Sequence, residues 1–277
     1  MIYADNAATT RLDEDAFEAM KPFLLEDYGN PSQPYSFARA QKKAVQHARE
    51  TIAECIGADP DEIYFTSGGT ESDNWAIKGS VFSNPDHHAL ITSAFEHHAV
   101  LNSCAAIERL EYPVAYMWPD KFGVITAEIQ RKYVANQTHL VSVMFANNEI
   151  GSIQPIGELC KIAHEHGALF HTDAVQAVGH IPINIHELGV DMLSASAHKF
   201  NGPKGVGFLY VRKGINIHLQ NDGGSQERGM RAGTENVAGI VGMAAALKKV
   251  SAVTVAADTF YYAKGSANRI SYQDPDL

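Results

Sequence analysis

The feature that most constrains the fold is a regular alternation of short apolar runs, typical of strands, with longer stretches that have helical spacing. Such alternation predicts an α/β fold whose mostly parallel sheet, of the seven-stranded type, is covered by helices on both faces. In sheets of this kind, ligands bind at the carboxyl ends of the strands. The predicted strands are residues 62–66, 88–92, 114–117, 139–145, 168–171, 190–194 and 205–212, and the last of them could run antiparallel.

Helical spacing is found in the segments between these strands and at both ends of the chain. Asp13 could cap a first helix that runs to about Asp27, and Gly57 is the expected stop of a second helix of about twenty residues. The other predicted helices are residues 72–82, 98–108, 126–134, 157–166 and 237–250.

The 277 residues can bury a large core, and the periodic patterns suggest how they are divided. We expect an N-terminal segment at 1–15 and one large domain at 16–250. Residues 251–277 show no clear periodicity and are too few for a second domain, so we expect an atypical tail there. No apolar run approaches the roughly 18 residues of a membrane span, and the first residues lack signal-peptide character, which favours a cytoplasmic protein.

Charge and cysteine usage exclude some function classes. A net charge of −10 argues against a nucleic-acid partner, because binding to phosphates needs a basic face. Cys55, Cys104 and Cys160 are odd in number and lie in helical patterns, so we expect free thiols in a reducing compartment. None of them has metal-ligand spacing, and no metal site is predicted.

A lysine follows the predicted strand at residues 190–194. Lys199 lies between Ser196 and His198 on one side and glycines and a proline on the other, so the turn is expected to hold it. A fixed and partly desolvated lysine has a lowered pKa and can form a Schiff base with a carbonyl compound. The alternative is an ordinary lysine of a surface loop.

A glycine-rich turn leads from the first predicted strand into a helix. In Thr66-Ser67-Gly68-Gly69-Thr70-Glu71, backbone amides, the Thr70 hydroxyl and the helix N-terminus could bind a phosphate. The lysine of a P-loop is missing, which disfavours a nucleoside triphosphate. The alternative is a simple strand-to-helix turn.

Three other strand ends carry polar side chains. Asp173 could partner a protonated pyridine nitrogen, or cap a helix. His97 could stack on a flat cofactor and move protons, or act as a capping or partly exposed histidine. Asn148, in Asn147-Asn148-Glu149, could hold a ring hydroxyl or a substrate, or close a turn. Together with Lys199 and the glycine-rich turn, these groups predict bound pyridoxal 5'-phosphate.

The chain resembles the cysteine desulfurases, in the class V group of fold-type I pyridoxal-phosphate enzymes. The resemblance covers roughly Ile2 to Lys249. It rests on the segments Tyr3–Thr10, Gly29–Ser32, Thr66–Asn74, Asn147–Gly151, Ala197–Lys199 and Arg228–Asn236.

The resemblance implies roles for individual residues. Lys199 would be the Schiff-base lysine and, with His97, a catalytic group. In the family, a threonine matching Thr234 reaches the phosphate of the neighbouring subunit, which implies a homodimer with shared sites. The implied cofactor contacts are Gly69, Thr70, Ser196 and His198 to the phosphate, His97 and Asn148 to the ring, Asp173 to the pyridine nitrogen and Gln176 to the ring hydroxyl side.

The implied reaction converts L-cysteine to L-alanine and leaves the sulfur on a cysteine of the enzyme as a persulfide. The persulfide would supply iron–sulfur cluster assembly, through a scaffold protein, or another sulfur acceptor. The alternatives are another class V activity, such as that of a selenocysteine lyase, and a non-catalytic protein that binds the cofactor or dimerises with a relative.

The sequence departs from its family in several places. Relatives carry the nucleophilic cysteine and a substrate-binding arginine in a C-terminal domain, whereas here no cysteine follows Cys160 and the one late arginine is Arg269. We therefore expect this small domain to be largely missing and turnover to be impaired. Tyr35 and Ala38 replace a histidine and a glycine, and Ser225 interrupts a run that is often all glycine.

Overall fold

Seven strands form one sheet in the computed structural model, which describes residues 2–84 and 89–263, the last eleven by their backbone alone. The order across the sheet is β1-β7-β6-β5-β4-β2-β3. Pairings from β3 to β6 are parallel, and β7 alone runs against the other six strands. The strands are β1 (Ile63–Thr66), β2 (Ala89–Ser93), β3 (Val114–Met117), β4 (Thr138–Ser142), β5 (Leu169–Asp173), β6 (Met192–Ser196) and β7 (Gly207–Val211).

Eight α-helices are described. Asp13 caps the first helix as expected, since its Oδ1 accepts from the Asp15 amide at 2.9 Å. Gly57 ends the second in the left-handed conformation, with a φ of 71°. The helices are α1 (Glu14–Leu25), α2 (Arg39–Ile56), α3 (Gly69–Ser83), α4 (His98–Glu108), α5 (Ala127–Arg131), α6 (Ile156–Glu165), α7 (Ile185–Leu188) and α8 (Val237–Ala263).

Helices cover both faces of the sheet, as the sequence predicted. Consecutive residues of a strand point to opposite faces, so Leu140 packs in the cluster that contains α3 and α4, whereas Val141 packs in the cluster that contains α2, α6 and α8. The antiparallel direction of β7 is also confirmed. Within residues 2–84 and 89–263, no helix has the length and apolar character needed to cross a membrane.

Several predicted elements begin or end a few residues from their bounds in the structure, and two larger differences have clear reasons. The helix predicted to end at residue 250 continues to Ala263, because residues 251–263 contain no glycine or proline that would stop it. The short α7 was missed, because four residues are too few to show a period. The remainder of the 251–277 segment, including Arg269, lies outside the described residues.

The N-terminal segment is fastened to the turn that follows β6. Thr10 donates from both its amide and its hydroxyl to the His198 carbonyl oxygen, each at 2.9 Å. The Thr10 hydroxyl also accepts from the Asn201 amide at 2.8 Å. Residues 5–8 therefore lie over the carboxyl ends of the central strands.

Candidate active site at the carboxyl ends of the strands

One cavity of about 530 Å³ brings together every predicted site residue except Thr234. It lies where β4, β5 and β6 end and where α3 and α4 begin. Its lining comprises Asp5, Ala7, Ala8, Gly69, Thr70, Asp73, His97, Met144, Asn148, Glu149, Asp173, Val175, Gln176, Ser196, His198 and Lys199. The sequence did not single out Asp5, Ala7, Ala8, Asp73, Met144 or Val175 as site residues.

Lys199 is held in this cavity by the N-terminal segment. Its Nζ donates to the carbonyl oxygen of Ala8 at 2.9 Å and also to that of Ala7. Burial lowers the pKa of Lys199, while Asp173 and Asp5 oppose the shift. The amine is therefore fixed in position and more easily deprotonated than a surface lysine.

Two close contacts at the glycine-rich turn leave no space for a side chain, one on Gly207 of β7 and one on Gly69. A Cβ on Gly207 would lie 2.4 Å from the Ala195 carbonyl oxygen and 2.7 Å from the Gly68 Cα. A Cβ on Gly69 would lie 2.5 Å from Val175 Cγ2. The backbone at the start of the 15-residue α3 thus stays close to the ends of β5 and β6, and the N-terminus of a helix this long favours an anion.

Asp173 ends β5 and is 4% exposed. Its Oδ1 accepts from the Val175 amide at 2.9 Å, so it closes the following turn and lines the cavity at the same time. Burial raises the pKa of Asp173, and the nearby His97 and Lys199 oppose that effect. A cation placed beside this carboxylate would stabilise its charged form.

A second buried carboxyl group, Asp73, lies next to Asp173. One side-chain atom each from Asp73, His97 and Asp173 lies within 4.8 Å of the others. Asp73 is 1% exposed, and its Oδ1 has no hydrogen-bond partner among the described residues. No sequence pattern marked Asp73 as a site residue, because a carboxylate inside a helical pattern usually faces solvent.

His97 caps α4, as the alternative interpretation expected. Its Nδ1 accepts from the Ala99 amide at 3.1 Å, so a neutral ring carries its proton on Nε2. The preceding Glu96 is buried and accepts from Ser93 Oγ at 2.5 Å and from the Met144 amide at 2.9 Å. Burial raises the pKa of Glu96 to about 8. Glu96 thereby joins the ends of β2 and β4 beside the cavity.

The two predicted amides have different neighbours. Asn147 closes its turn, since its Oδ1 accepts from the amides of Glu149 at 2.8 Å and Ile150 at 3.0 Å. Asn148 lines the cavity and donates to Glu149 Oε1 at 2.7 Å. Gln176 donates to the Ala7 carbonyl oxygen at 2.9 Å, so it too holds the N-terminal segment.

Ser196 and His198 flank the glycine-rich turn and Lys199. The Ser196 hydroxyl lies 3.4 Å from the point where a Cβ on Gly68 would stand. His198 Nδ1 lies 3.0 Å from the Thr9 hydroxyl. Burial lowers the pKa of His198, and the charges of Lys199 and Lys204 add to the effect, which keeps the ring neutral.

Thr234 lies apart from this cavity. It lines a separate cavity of about 170 Å³ with Arg231 and Glu235. Arg231 pairs with Glu71 through Nε at 2.8 Å and Nη2 at 3.0 Å, which ties the Thr234 segment to the residue after Thr70. A role for Thr234 in a neighbouring subunit stays a prediction.

All three cysteines are free, and none of them lines the Lys199 cavity. Cys104 and Cys160 are buried, and burial raises the pKa of each thiol to about 12. Cys55 is partly buried, and burial raises its pKa as well. The reactive thiolate form is therefore rare at neutral pH.

The polar and charged groups that line the cavity suit pyridoxal 5'-phosphate. The start of α3, with Ser196 beside it, suits the phosphate, and a carbonyl group can react with the fixed Lys199 amine. The buried carboxylate of Asp173 suits a protonated ring nitrogen.

Comparison with known proteins relates this arrangement to one family. Residues 2–267 match the family described as "Aminotransferase class-V". The chain is 56% identical over 249 residues to "Cysteine desulfurase IscS" of Dictyoglomus turgidum, covering 89% of this chain and 63% of that protein. It is 51% identical over 252 residues to the IscS of Methanosarcina thermophila, covering 91% and 62%. The chain thus spans somewhat less than two thirds of the length of these relatives.

Solved structures give the same relation. A "NIFS-LIKE PROTEIN" superposes with a TM-score of 0.90 at 42% identity, covering 93% of this chain and 72% of that one. "SspA in complex with cysteine" superposes with a TM-score of 0.87 at 39% identity, covering 90% and 72%.

Proposed function

Because the chain belongs to the class V aminotransferase family, we propose that its Lys199 cavity binds pyridoxal 5'-phosphate and that the protein acts as a cysteine desulfurase. L-cysteine would be the substrate and L-alanine the product. The observation that carries this proposal is the placement of Lys199 Nζ, Asp173 and the start of α3 around one cavity. The likeness to proteins named cysteine desulfurase supports the choice of substrate.

Each end of the cavity would hold one part of the cofactor. Gly69, Thr70, Ser196 and His198 would bind the phosphate, and Asp173 would bind the ring nitrogen. His97, Asn148 and Gln176 would contact the ring and its hydroxyl group. When bound, the cofactor supplies a carbonyl group and a ring that withdraws electrons from the substrate α-carbon.

Lys199 and His97 would accept and donate the protons of the reaction. The lowered pKa of Lys199 increases the share of neutral amine, so Nζ can bind a carbonyl carbon and, when free, accept a proton. His97 is held by its cap bond to Ala99, which leaves Nε2 as its proton-bearing atom. Both groups start from fixed positions, so little ordering is needed when substrate binds.

The sulfur of L-cysteine would be transferred to a thiol. The described part of the cavity contains no such thiol. Cys55, Cys104 and Cys160 lie elsewhere, and their pKa values are raised. In the desulfurase reaction, a thiolate attacks the substrate sulfur and takes it as a persulfide while alanine is released. We propose that this thiol comes from another polypeptide segment, a sulfur acceptor or an added small thiol.

The assembly and the cellular role belong to the same proposal. A homodimer that uses Thr234 across its interface is consistent with the position of Thr234 outside the Lys199 cavity. The domain division that we propose keeps 1–15 as the N-terminal segment, 16–250 as the cofactor-binding domain and 251–277 as a tail. Delivery to an iron–sulfur scaffold and a cytoplasmic location stay predictions.

Release of alanine from L-cysteine tests the proposed function. The assay uses purified protein loaded with pyridoxal 5'-phosphate, an added dithiol as sulfur acceptor, and amino-acid analysis of the products. Alanine should form with the unaltered chain and with Lys204→Ala, which removes an exposed lysine of the same loop, but not with Lys199→Ala. Alanine that forms equally with Lys199→Ala would contradict the assignment.

A lyase that needs no persulfide on the enzyme is the second candidate. It is favoured by the absence of the three cysteines from the described lining of the cavity. Selenocysteine would then give alanine faster than cysteine does, and the added thiol would not change the rate. A protein that binds the cofactor and dimerises with a longer relative, but releases no alanine from either substrate, is the non-catalytic alternative.

A further inference from the structure

Asp73 is a buried acid without a role in the proposed reaction. It lies in the second turn of α3, lines the Lys199 cavity and is 1% exposed. Its Oδ1 has no hydrogen-bond partner among the described residues. One of its oxygens is within 4.8 Å of both a carboxylate oxygen of Asp173 and a ring nitrogen of His97. A fully charged carboxylate in that position would be costly.

The groups around Asp73 include no strong cation, although the nearby Ser194 hydroxyl favours its charged form. Asp173 and Glu96 are buried acids that repel a charge on Asp73. His171 is fully buried on β5, with its Nε2 3.7 Å from Asp73 Oδ1. That ring is neutral, because burial lowers the pKa of His171 to about 3. Its nitrogens lie 2.8 Å from Ser142 Oγ and 3.0 Å from Ser194 Oγ.

Most of the groups that favour a charged carboxylate act on Asp173. His97 and Lys199 both favour the charged form of Asp173, and Val175 donates its amide to that carboxylate. Burial raises the pKa of Asp73 well above its usual range, with the charge of Asp173 as the next cause. Two acids this close hold protons as a pair, and the better solvated member ionises first.

We propose that Asp73 holds a proton at neutral pH, so that the Asp73–Asp173 pair carries one negative charge and that charge resides on Asp173. Asp73 is then a positioning residue. It lines the cavity beside Asp173 as a neutral polar group and leaves a single carboxylate for the ring nitrogen. The role of Asp73 toward the cofactor ring rests on the proposed function. The protonation of Asp73 does not, because it can be measured in the protein without cofactor.

Infrared difference spectra of the cofactor-free protein test where the proton resides. A protonated carboxyl group has its own carbonyl band, distinct from that of a carboxylate. At pH 7 we expect bands from Asp73 and from Glu96, whose pKa is about 8. Asp73→Asn should remove one band and Glu96→Gln the other. Asp173→Asn and the exposed control Asp61→Asn should remove neither.

Two results would overturn the proposal. One is loss of a protonated band in Asp173→Asn but not in Asp73→Asn, which would put the proton on Asp173. The other is the absence of a second band in the unaltered protein once Glu96→Gln has identified the first. The second criterion needs no Asp73 variant, so it still applies if Asp73→Asn does not fold.

Cofactor affinity gives an independent measure. Asp173→Asn removes a charged partner of the ring nitrogen, whereas Asp73→Asn exchanges one neutral polar group for another. Asp173→Asn should therefore weaken pyridoxal 5'-phosphate binding by about tenfold more than Asp73→Asn does. Equal losses would contradict the division of roles. If the unaltered protein binds no cofactor, the proposed function fails, while the infrared result still decides where the proton lies.

Discussion

Lys199 donates a hydrogen bond from its Nζ to the backbone carbonyl oxygen of Ala8, at 2.9 Å across 191 positions of sequence. The lysine on the turn after β6 is thus held by a segment from the start of the chain. Gln176 binds the adjacent Ala7 carbonyl oxygen at 2.9 Å. The N-terminal segment therefore shapes the cavity and holds the amine in place.

Removal of the Thr10 hydroxyl should loosen this arrangement. Thr10 is buried, and its Oγ1 bonds both the His198 carbonyl oxygen and the Asn201 amide. Thr10→Val leaves the Asn201 amide without its acceptor, whereas the His198 oxygen keeps its bond from the Thr10 amide. The change should lower the free energy of unfolding by about 1–3 kcal/mol. Urea denaturation measures the loss. Thr10→Ser keeps the hydroxyl and should retain most of the stability; equal losses in both variants would show that the hydrogen bonds are unimportant.

A buried ion pair joins α2 to the segment after β7. Arg49 Nη2 lies 2.7 Å from Glu227 Oε1, and the side chains are 8% and 3% exposed. Glu227 also accepts from the Phe65 amide at 2.8 Å. Arg49→Met leaves an unpaired buried carboxylate and should cost about 3–5 kcal/mol of stability in urea denaturation. The exposed control Arg39→Met, on the same helix, should change stability by less than about 0.5 kcal/mol.

Glu96 should make the protein less stable as the pH rises. Its pKa is about 8 when folded and near 4.5 when unfolded, so the folded state binds one proton more between these values. Stability from this group is complete below pH 4.5 and is lost as the pH rises toward 8, by up to about 1.4 kcal/mol per pH unit.

The effect of Glu96 on stability is clearest above pH 6.5, because His171 has the opposite effect at lower pH. Its pKa falls from 6.5 to about 3 on folding, so below pH 6.5 it gives a slope of opposite sign. Urea midpoints measured from pH 6.5 to 8 should fall in the unaltered protein and fall less in Glu96→Gln. The exposed control Glu128→Gln should keep the full slope. A slope that is identical in all three proteins would rule out a protonated Glu96.

Two glycines should respond to alanine in opposite directions. The Cβ of Gly207→Ala would lie 2.4 Å from a backbone oxygen and should cost about 1–3 kcal/mol, while displacing the glycine-rich turn. Gly157 is in the first turn of α6, and its Cβ would meet nothing closer than 3.9 Å. Gly157→Ala should therefore stabilise the protein by about 0.4–1 kcal/mol. Thermal unfolding of both variants tests this contrast.

The sequence predicted the parts of the site that follow strands. Lys199, Asp173 and Ser196 lie at or just after the ends of β6 and β5, and an apolar run that ends in a polar residue marks such a position directly. The seven-stranded sheet followed from the same alternation. These features depend on residues close together in the chain.

The missed parts depend on contacts between distant segments. Ala7 and Ala8 hold Lys199 through backbone oxygens, which carry no side-chain signal. Asp73 and Glu96 turn inward because α3 and the turn after β2 pack against β5 and β4. A buried acid has the same letter in the sequence as an exposed one, so only the packing reveals its shifted pKa.

The most direct test of the central claim is to locate the covalent attachment of the cofactor. The purified chain is mixed with pyridoxal 5'-phosphate, reduced with borohydride, digested and analysed by mass spectrometry. We predict one modified peptide, with the pyridoxyl group on Lys199, and no such peptide from Lys199→Ala. Modification spread over exposed lysines such as Lys204, with Lys199 unmodified, would contradict the account.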